Sequence, residues 1–216
     1  MRAIRYKILD NVCMQSIENK IVNRIYGNGR GWAFSKKDFL DMADDGAIRL
    51  SLMRLTNRET IRRIIPGIYD YPRFSELLQE TLGPDLDQIA HALERKFGWR
   101  IQPSGNTALN LLGLSTQVPA QAVYLSDGPP KTYEIGRRKL TFNKKALKES
   151  GFRHRESELV VQALKELGRE RMDEAFRKKL RQALPSDTWP KLVRDTRSAT
   201  AWVHEIIRKT AEESGK

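Results

Sequence analysis

The chain has 216 residues, 39% of them hydrophobic, which is enough for one large domain or two small ones. Lys and Arg number 39 against 27 acids, a formal charge of +12, and a surplus of that size favours polyanionic partners because contacts to phosphates release condensed counterions. The single cysteine, Cys13, excludes a disulfide framework and a cysteine-based zinc site, and no apolar run approaches the roughly 20 residues of a membrane span. A lone thiol and a basic start without an apolar stretch, Met1-Arg2-Ala3-Ile4-Arg5-Tyr6-Lys7, point to a cytoplasmic protein with no membrane partner.

Charge is uneven along the chain. The first 75 residues hold 14 basic and 8 acidic side chains, half of the whole surplus, and Arg outnumbers Lys there by 10 to 4. Arg is the side chain suited to forked contacts with phosphates and guanine edges.

In chain order, Ile17, Ile21, Val22 and Ile25 form one helical stripe, broken by Gly27-Asn28-Gly29-Arg30-Gly31. Trp32-Ala33-Phe34 suits a brief strand. Ser35 is placed to cap a second helix holding Phe39, Leu40 and Met42, and Asp44-Asp45-Gly46 reads as a tight turn. A third helix follows, with Ile48, Leu52 and Leu55 on its apolar side and Ala47, Arg49, Leu50, Ser51 and Arg54 outside. The β-branched, basic run Thr60 to Ile65, the turn pair Pro66-Gly67 and the returning Ile68-Tyr69-Asp70-Tyr71 predict a hairpin. Helix, strand, helix, turn, helix and hairpin make a winged helix-turn-helix over residues 1–75, with the third helix in the major groove and Arg58, Arg62 and Arg63 near the backbone or the minor groove. Lys36 and Lys37 are further candidate phosphate contacts.

Residues 76–150 predict a small α+β domain. Pro84 opens a helix through Ile89, Ala90, Leu93 and Phe97 that stops at Gly98, and its first turn carries Asp85 and Asp87 against the dipole. A short strand at 99–101, a helix from Ser104 to Gly113 and three strands across 122–142 follow. Residues 151–216 predict a helical segment packed on the middle domain, with helices near 156–167, 172–184 and 199–212 and a loop punctuated by Pro185 and Pro190. The fold class is therefore α+β.

Other readings of these residues are weaker. Gly27 to Gly31 follows a helix and precedes a strand, the reverse of a dinucleotide or phosphate-binding loop. Asp85 and Asp87 cap a helix rather than hold a metal pair on a strand. His91, His154 and His204 have no metal spacing, and His91 has no evident partner. No catalytic set can be read from the chain, so an enzyme is not expected. The basic run Arg177-Lys178-Lys179-Leu180-Arg181 fits a solvated helix face, a second DNA contact or an acidic partner.

The runs Ala47-Ile48-Arg49-Leu50-Ser51-Leu52-Met53-Arg54-Leu55 and Ile61-Arg62-Arg63-Ile64-Ile65-Pro66-Gly67-Ile68-Tyr69-Asp70 resemble the recognition helix and wing of AbiEi-type antitoxins. The segment from Gly105-Asn106-Thr107-Ala108-Leu109-Asn110 through Gln117-Val118-Pro119 is similar to that family's second-domain signature, and Tyr124 to Phe142 fits as well. One departure is Thr56-Asn57-Arg58-Glu59-Thr60, where many relatives carry Lys/Arg-Gly-Lys-Leu. The resemblance covers about residues 16–205. It implies a regulator in a type IV toxin–antitoxin pair that binds inverted repeats in its own promoter, as a dimer or as successive monomers, and represses the operon without a cofactor. It also implies a nucleotidyltransferase toxin encoded nearby, which some antitoxins would meet directly through their later domains.

Overall fold

A computed structural model describes residues 16–115, 120–147 and 151–214, so Cys13, the basic N-terminal run and the Gln117-Val118-Pro119 end of the second motif lie outside the described residues. The chain is mixed α+β. It divides into two compact units, Met1–Gly83 and Pro84–Lys216. Residues 76–83, read from the sequence as part of the middle domain, fall in the first unit.

In the first unit, α1 (Ile17–Asn28) starts at Ser16, whose hydroxyl accepts the Asn19 N–H at 3.2 Å. The helix continues through Gly27 and Asn28, two residues into the break expected at 27–31, and Gly29 ends it at φ 83°. β1 (Ala33–Phe34) follows. The predicted second helix is only a 3₁₀ turn, Lys36–Phe39, closed by a capping box in which the Ser35 N–H bonds Asp38 Oδ2 at 2.8 Å. Asp44 is not the corner of a turn. It is the N-cap of α2 (Asp45–Asn57), and its Oδ1 accepts the Gly46 and Ala47 N–H groups at 2.9 and 3.0 Å. Leu40 and Met42, expected in the second helix, lie instead in the turns between the 3₁₀ segment and α2.

β2 (Arg62–Ile65) and β3 (Ile68–Asp70) pair antiparallel across Pro66-Gly67, with Ile65 opposite Ile68. Gly67 sits at φ 77°, the left-handed conformation that the second central residue of such a turn requires. β1 joins the other side of β3, giving the order β1-β3-β2. Ile21, Ile25, Phe34, Phe39, Ile48, Leu52, Leu55 and Ile61 form the core. A two-stranded ribbon, β4 (Phe74–Ser75) with β5 (Glu80–Thr81), has no counterpart in the sequence reading.

The second unit opens with α3 (Leu86–Phe97), capped by Asp85 and ended by left-handed Gly98. β6 (Ile101–Pro103), β7 (Gln121–Ser126), β8 (Lys131–Ile135) and β9 (Arg138–Lys144) make one sheet in the order β6-β7-β9-β8, in which only β7 and β9 run parallel. α4 (Gly105–Leu111) lies against α5 (Arg155–Leu167) so closely that a Cβ on Gly105 would fall 2.3 Å from Glu166 Cβ. The helices α6 (Glu174–Gln182), α7 (Trp189–Asp195) and α8 (Ala201–Ser214) complete a core shared with α4 and α5, built on Leu109, Leu164, Leu180, Trp189, Leu192 and Ile207. The 151–216 segment therefore shares a core with part of the middle region. α7 stands where a loop was expected. Pro190 falls in its first turn, where a missing N–H costs nothing and a fixed φ suits the helix.

His91 also departs from expectation: its Nδ1 lies 2.7 Å from Glu94 Oε2 and its Nε2 3.7 Å from Asp87 Oδ1. Asp87 is buried, accepts the Tyr124 hydroxyl at 2.7 Å and pairs with Arg155. Burial next to that carboxylate pushes the Tyr124 hydroxyl far above its ordinary pKa, so it keeps the proton that it donates to Asp87.

Candidate nucleic-acid interface

The outward side of α2 is set by what its inward side buries. Ile48, Leu52 and Leu55 are at most 2% exposed. Residues three and four apart share one helix face, so the positions one and two beyond each buried residue point outward, which leaves Arg49, Leu50, Met53 and Arg54 exposed. Leu50 and Met53 are 42% and 52% exposed, an apolar strip between two cationic clusters.

The first cluster gathers around Asp45. Lys36 Nζ lies 2.5 Å from Asp45 Oδ1, and Arg49 Nε lies 3.2 Å from Asp45 Oδ2. The Lys36 hydrogen bond, helped by the Arg49 charge, holds the Asp45 carboxyl below its usual range. The 3₁₀ turn thus delivers Lys36 to the start of α2, and Lys37 beside it is exposed. The second cluster gathers around Glu18 of α1, with Arg58 Nη1 at 2.5 Å and Arg54 Nη1 at 4.0 Å. The Asp45 pairs are exposed, so they are worth little and can give way to another anion, whereas Glu18 is mostly covered.

Two of the candidate contacts are corrected. Ser51 is buried, not outward, and its hydroxyl donates to the Ala47 carbonyl at 2.9 Å. Ala47 is half-buried, and both residues line a shallow hollow with Ser16, Ile17 and Glu18 at the start of α1. The cause is that α2 packs against α1 over a wider face than its three apolar residues imply. Arg62 is also not a free cation. Its guanidinium forks onto buried Asp70 at 3.1 and 2.7 Å and donates to the Leu82 carbonyl at 3.2 Å. Arg62 stands opposite Asp70 in the β2–β3 register, whereas the next residue, Arg63, is exposed, as strand alternation requires.

Sequence reasoning did not single out Arg24. It forks onto Asp41 at 2.6 and 2.7 Å and donates to the Asp38 carbonyl at 2.7 Å, tying α1 to the stretch before α2. It also missed a concavity of about 740 Å³ in the first unit, lined among others by Tyr26, Arg30, Glu59, Arg63, Tyr71 and Phe74. The adjacency of Arg30 to a glycine pair and of Tyr71 to Pro72-Arg73 was the only signal for it. Among the described residues no group of three or more His, Cys, Asp or Glu side chains is arranged to hold a metal, and no helix is long and apolar enough to cross a membrane.

An α2 face rimmed by exchangeable cations beside a short hairpin defines an α+β protein with a cationic surface in its first unit. The chain belongs to DUF6088, a family of unknown function, whose pattern matches residues 20–192. No curated protein matches the chain.

Proposed function

We propose that this protein is a DNA-binding transcriptional regulator that reads duplex DNA through a winged helix-turn-helix in its first unit. The 3₁₀ turn and α2 are the helix pair, and the β2–β3 hairpin is the wing. The observation that carries this reading is the exposed side of α2, where Arg49 and Arg54, 69% and 54% exposed, flank Leu50 and Met53, and where Arg49 pairs with the exposed Asp45 in a contact that a phosphate can displace. Arg49 and the half-buried Ala47 near the start of α2 stand where a recognition helix contacts base edges. Lys36, Lys37, Arg58 and Arg63 contact the backbone. Arg62 and Ser51 hold the fold rather than the DNA.

The resemblance to AbiEi-type antitoxins extends this to autorepression: a cytoplasmic repressor on promoter repeats that needs no cofactor and performs no catalysis. A nucleotidyltransferase toxin encoded nearby is the partner that likeness brings. The ribbon between β4 and β5 favours a protein partner in addition, because Leu77 and Leu78 stand 93% and 59% exposed. That partner is either the toxin or a second copy of this chain.

The test is fluorescence anisotropy of the full chain with the duplex upstream of its own gene against a scrambled duplex. Selective binding that weakens with rising salt supports the reading, and Arg63→Ala should lower the salt slope by about one for both duplexes. Equal, weak binding to both overturns it.

A further inference from the structure

The concavity of the first unit carries aromatic faces that duplex reading does not use. Tyr26 packs against Tyr71 with ring centroids 5.1 Å apart, and Arg30 lies over Tyr71 with its guanidinium carbon 4.7 Å from the ring centroid. Arg30 is steadied by donating to the Pro72 carbonyl at 3.0 Å, which fixes the guanidinium in place while leaving further donors. Tyr26 and Phe74 are 51% and 50% exposed, so each offers a ring face to solvent. Arg63 adds a second exposed cation to the wall. Glu59, also on the wall, holds a left-handed backbone at φ 57°, a conformation disfavoured for a glutamate and concentrated at binding sites.

We infer that this groove binds single-stranded nucleic acid, with unpaired bases stacked on Tyr26 and Phe74 and the backbone phosphates on Arg30 and Arg63. Exposed aromatic faces beside fixed cations are the two parts of a single-strand site, since any unpaired base can stack and any phosphate can pair. A duplex cannot use the rings, because its bases are already stacked on one another. A free nucleotide fits less well: the groove is open rather than enclosing, and it presents two separate ring platforms where a nucleotide has one base. The inference does not depend on operator recognition by α2, and either can fail alone.

The experiment uses the full chain and three labelled probes of equal length: a dT12 strand, a twelve-unit abasic strand with the same phosphates, and a twelve-base-pair duplex. The dT12 strand should bind at least about tenfold tighter than the abasic strand, because only the former has bases to stack on the two rings. Phe74→Ala and Tyr26→Ala should each remove most of that difference and leave duplex binding unchanged, while Tyr26→Phe keeps it. Phe74 lies in an exposed two-residue strand, so its variant is the one least able to unfold the unit. Equal affinity for dT12 and the abasic strand overturns the inference. So does a dT12 affinity that survives both alanine variants, or a loss that falls equally on the duplex.

Discussion

Arg49 and Arg54 on α2 are 69% and 54% exposed, whereas Arg177 and Arg181 on α6 are 20% and 25% exposed and both close on Glu213 of α8, at 3.1 and 2.5 Å. Both helices look like basic faces in the sequence. The difference lies in where their anions come from. On α2 they come from the helix's own first turn and from a rim residue of α1. On α6 they come from a helix packed alongside, so the pair is part of the joint between α6 and α8. A cation held in such a joint serves stability, and one held at a rim serves as an exchangeable contact.

Substitutions separate the residues that hold the fold from those that bind. The largest effect is expected at Asp70, which is 2% exposed and holds Arg62. Asp70→Ala leaves a half-buried guanidinium without its fork and should cost about 2 kcal/mol in urea unfolding. An unchanged midpoint would return Arg62 to the set of free cations. Next, Arg49→Ala should lose about tenfold of the preference for the native duplex while leaving the melting curve in place. If stability fell instead, α2 would resemble α6. Third, Glu213→Gln should destabilise by about 1 kcal/mol and leave every DNA affinity unchanged, because the two half-buried arginines keep an acceptor but lose its charge. A drop in DNA binding would move the interface toward α6.

The smallest effect concerns pH. Burial raises the carboxyl of Glu158 on α5 above its ordinary range, against a hydrogen bond from Gln102 and the charges of His91 and Arg155, with Glu94 adding to the rise. The folded chain therefore holds that proton more tightly than the unfolded chain. This contribution is present in full below the ordinary glutamate range and is lost as pH rises through the raised value. Glu158→Gln should flatten the stability profile across that window, as read by thermal melts at stepped pH. A profile unchanged by the substitution would show that Glu158 is not its source.

Much of the first unit was legible in its residues. The stripe from Ile17 to Ile25, the stripe from Ile48 to Leu55 and the Pro66-Gly67 turn each carry a local signal that packing did not override. In the second unit, the same holds for Asp85 and Gly98 at the ends of α3. What could not be read is what depends on pairing across distance. Whether Arg62 or Arg63 faces solvent follows from the register of β2 against β3, and no single strand contains that information. The β4–β5 ribbon is two residues per strand, too short for a period. The link from Asp87 to Tyr124 and Arg155 spans 37 and 68 residues, so the sequence offered only a helix cap. α7 was hidden because a proline in a first turn looks like a proline in a loop. The site was legible in its basic residues, and not in which of them are held inward.

If the exposed side of α2 reads duplex sequence, selectivity must depend on Arg49. The most direct test is a salt-titrated anisotropy series with the duplex upstream of the gene and its scrambled counterpart, for the unaltered chain and for Arg49→Ala. The expected result is tight, sequence-selective binding whose selectivity falls in Arg49→Ala, with the salt dependence largely retained. Equal and weak binding of both duplexes by the unaltered chain, or a selectivity indifferent to Arg49, would contradict it.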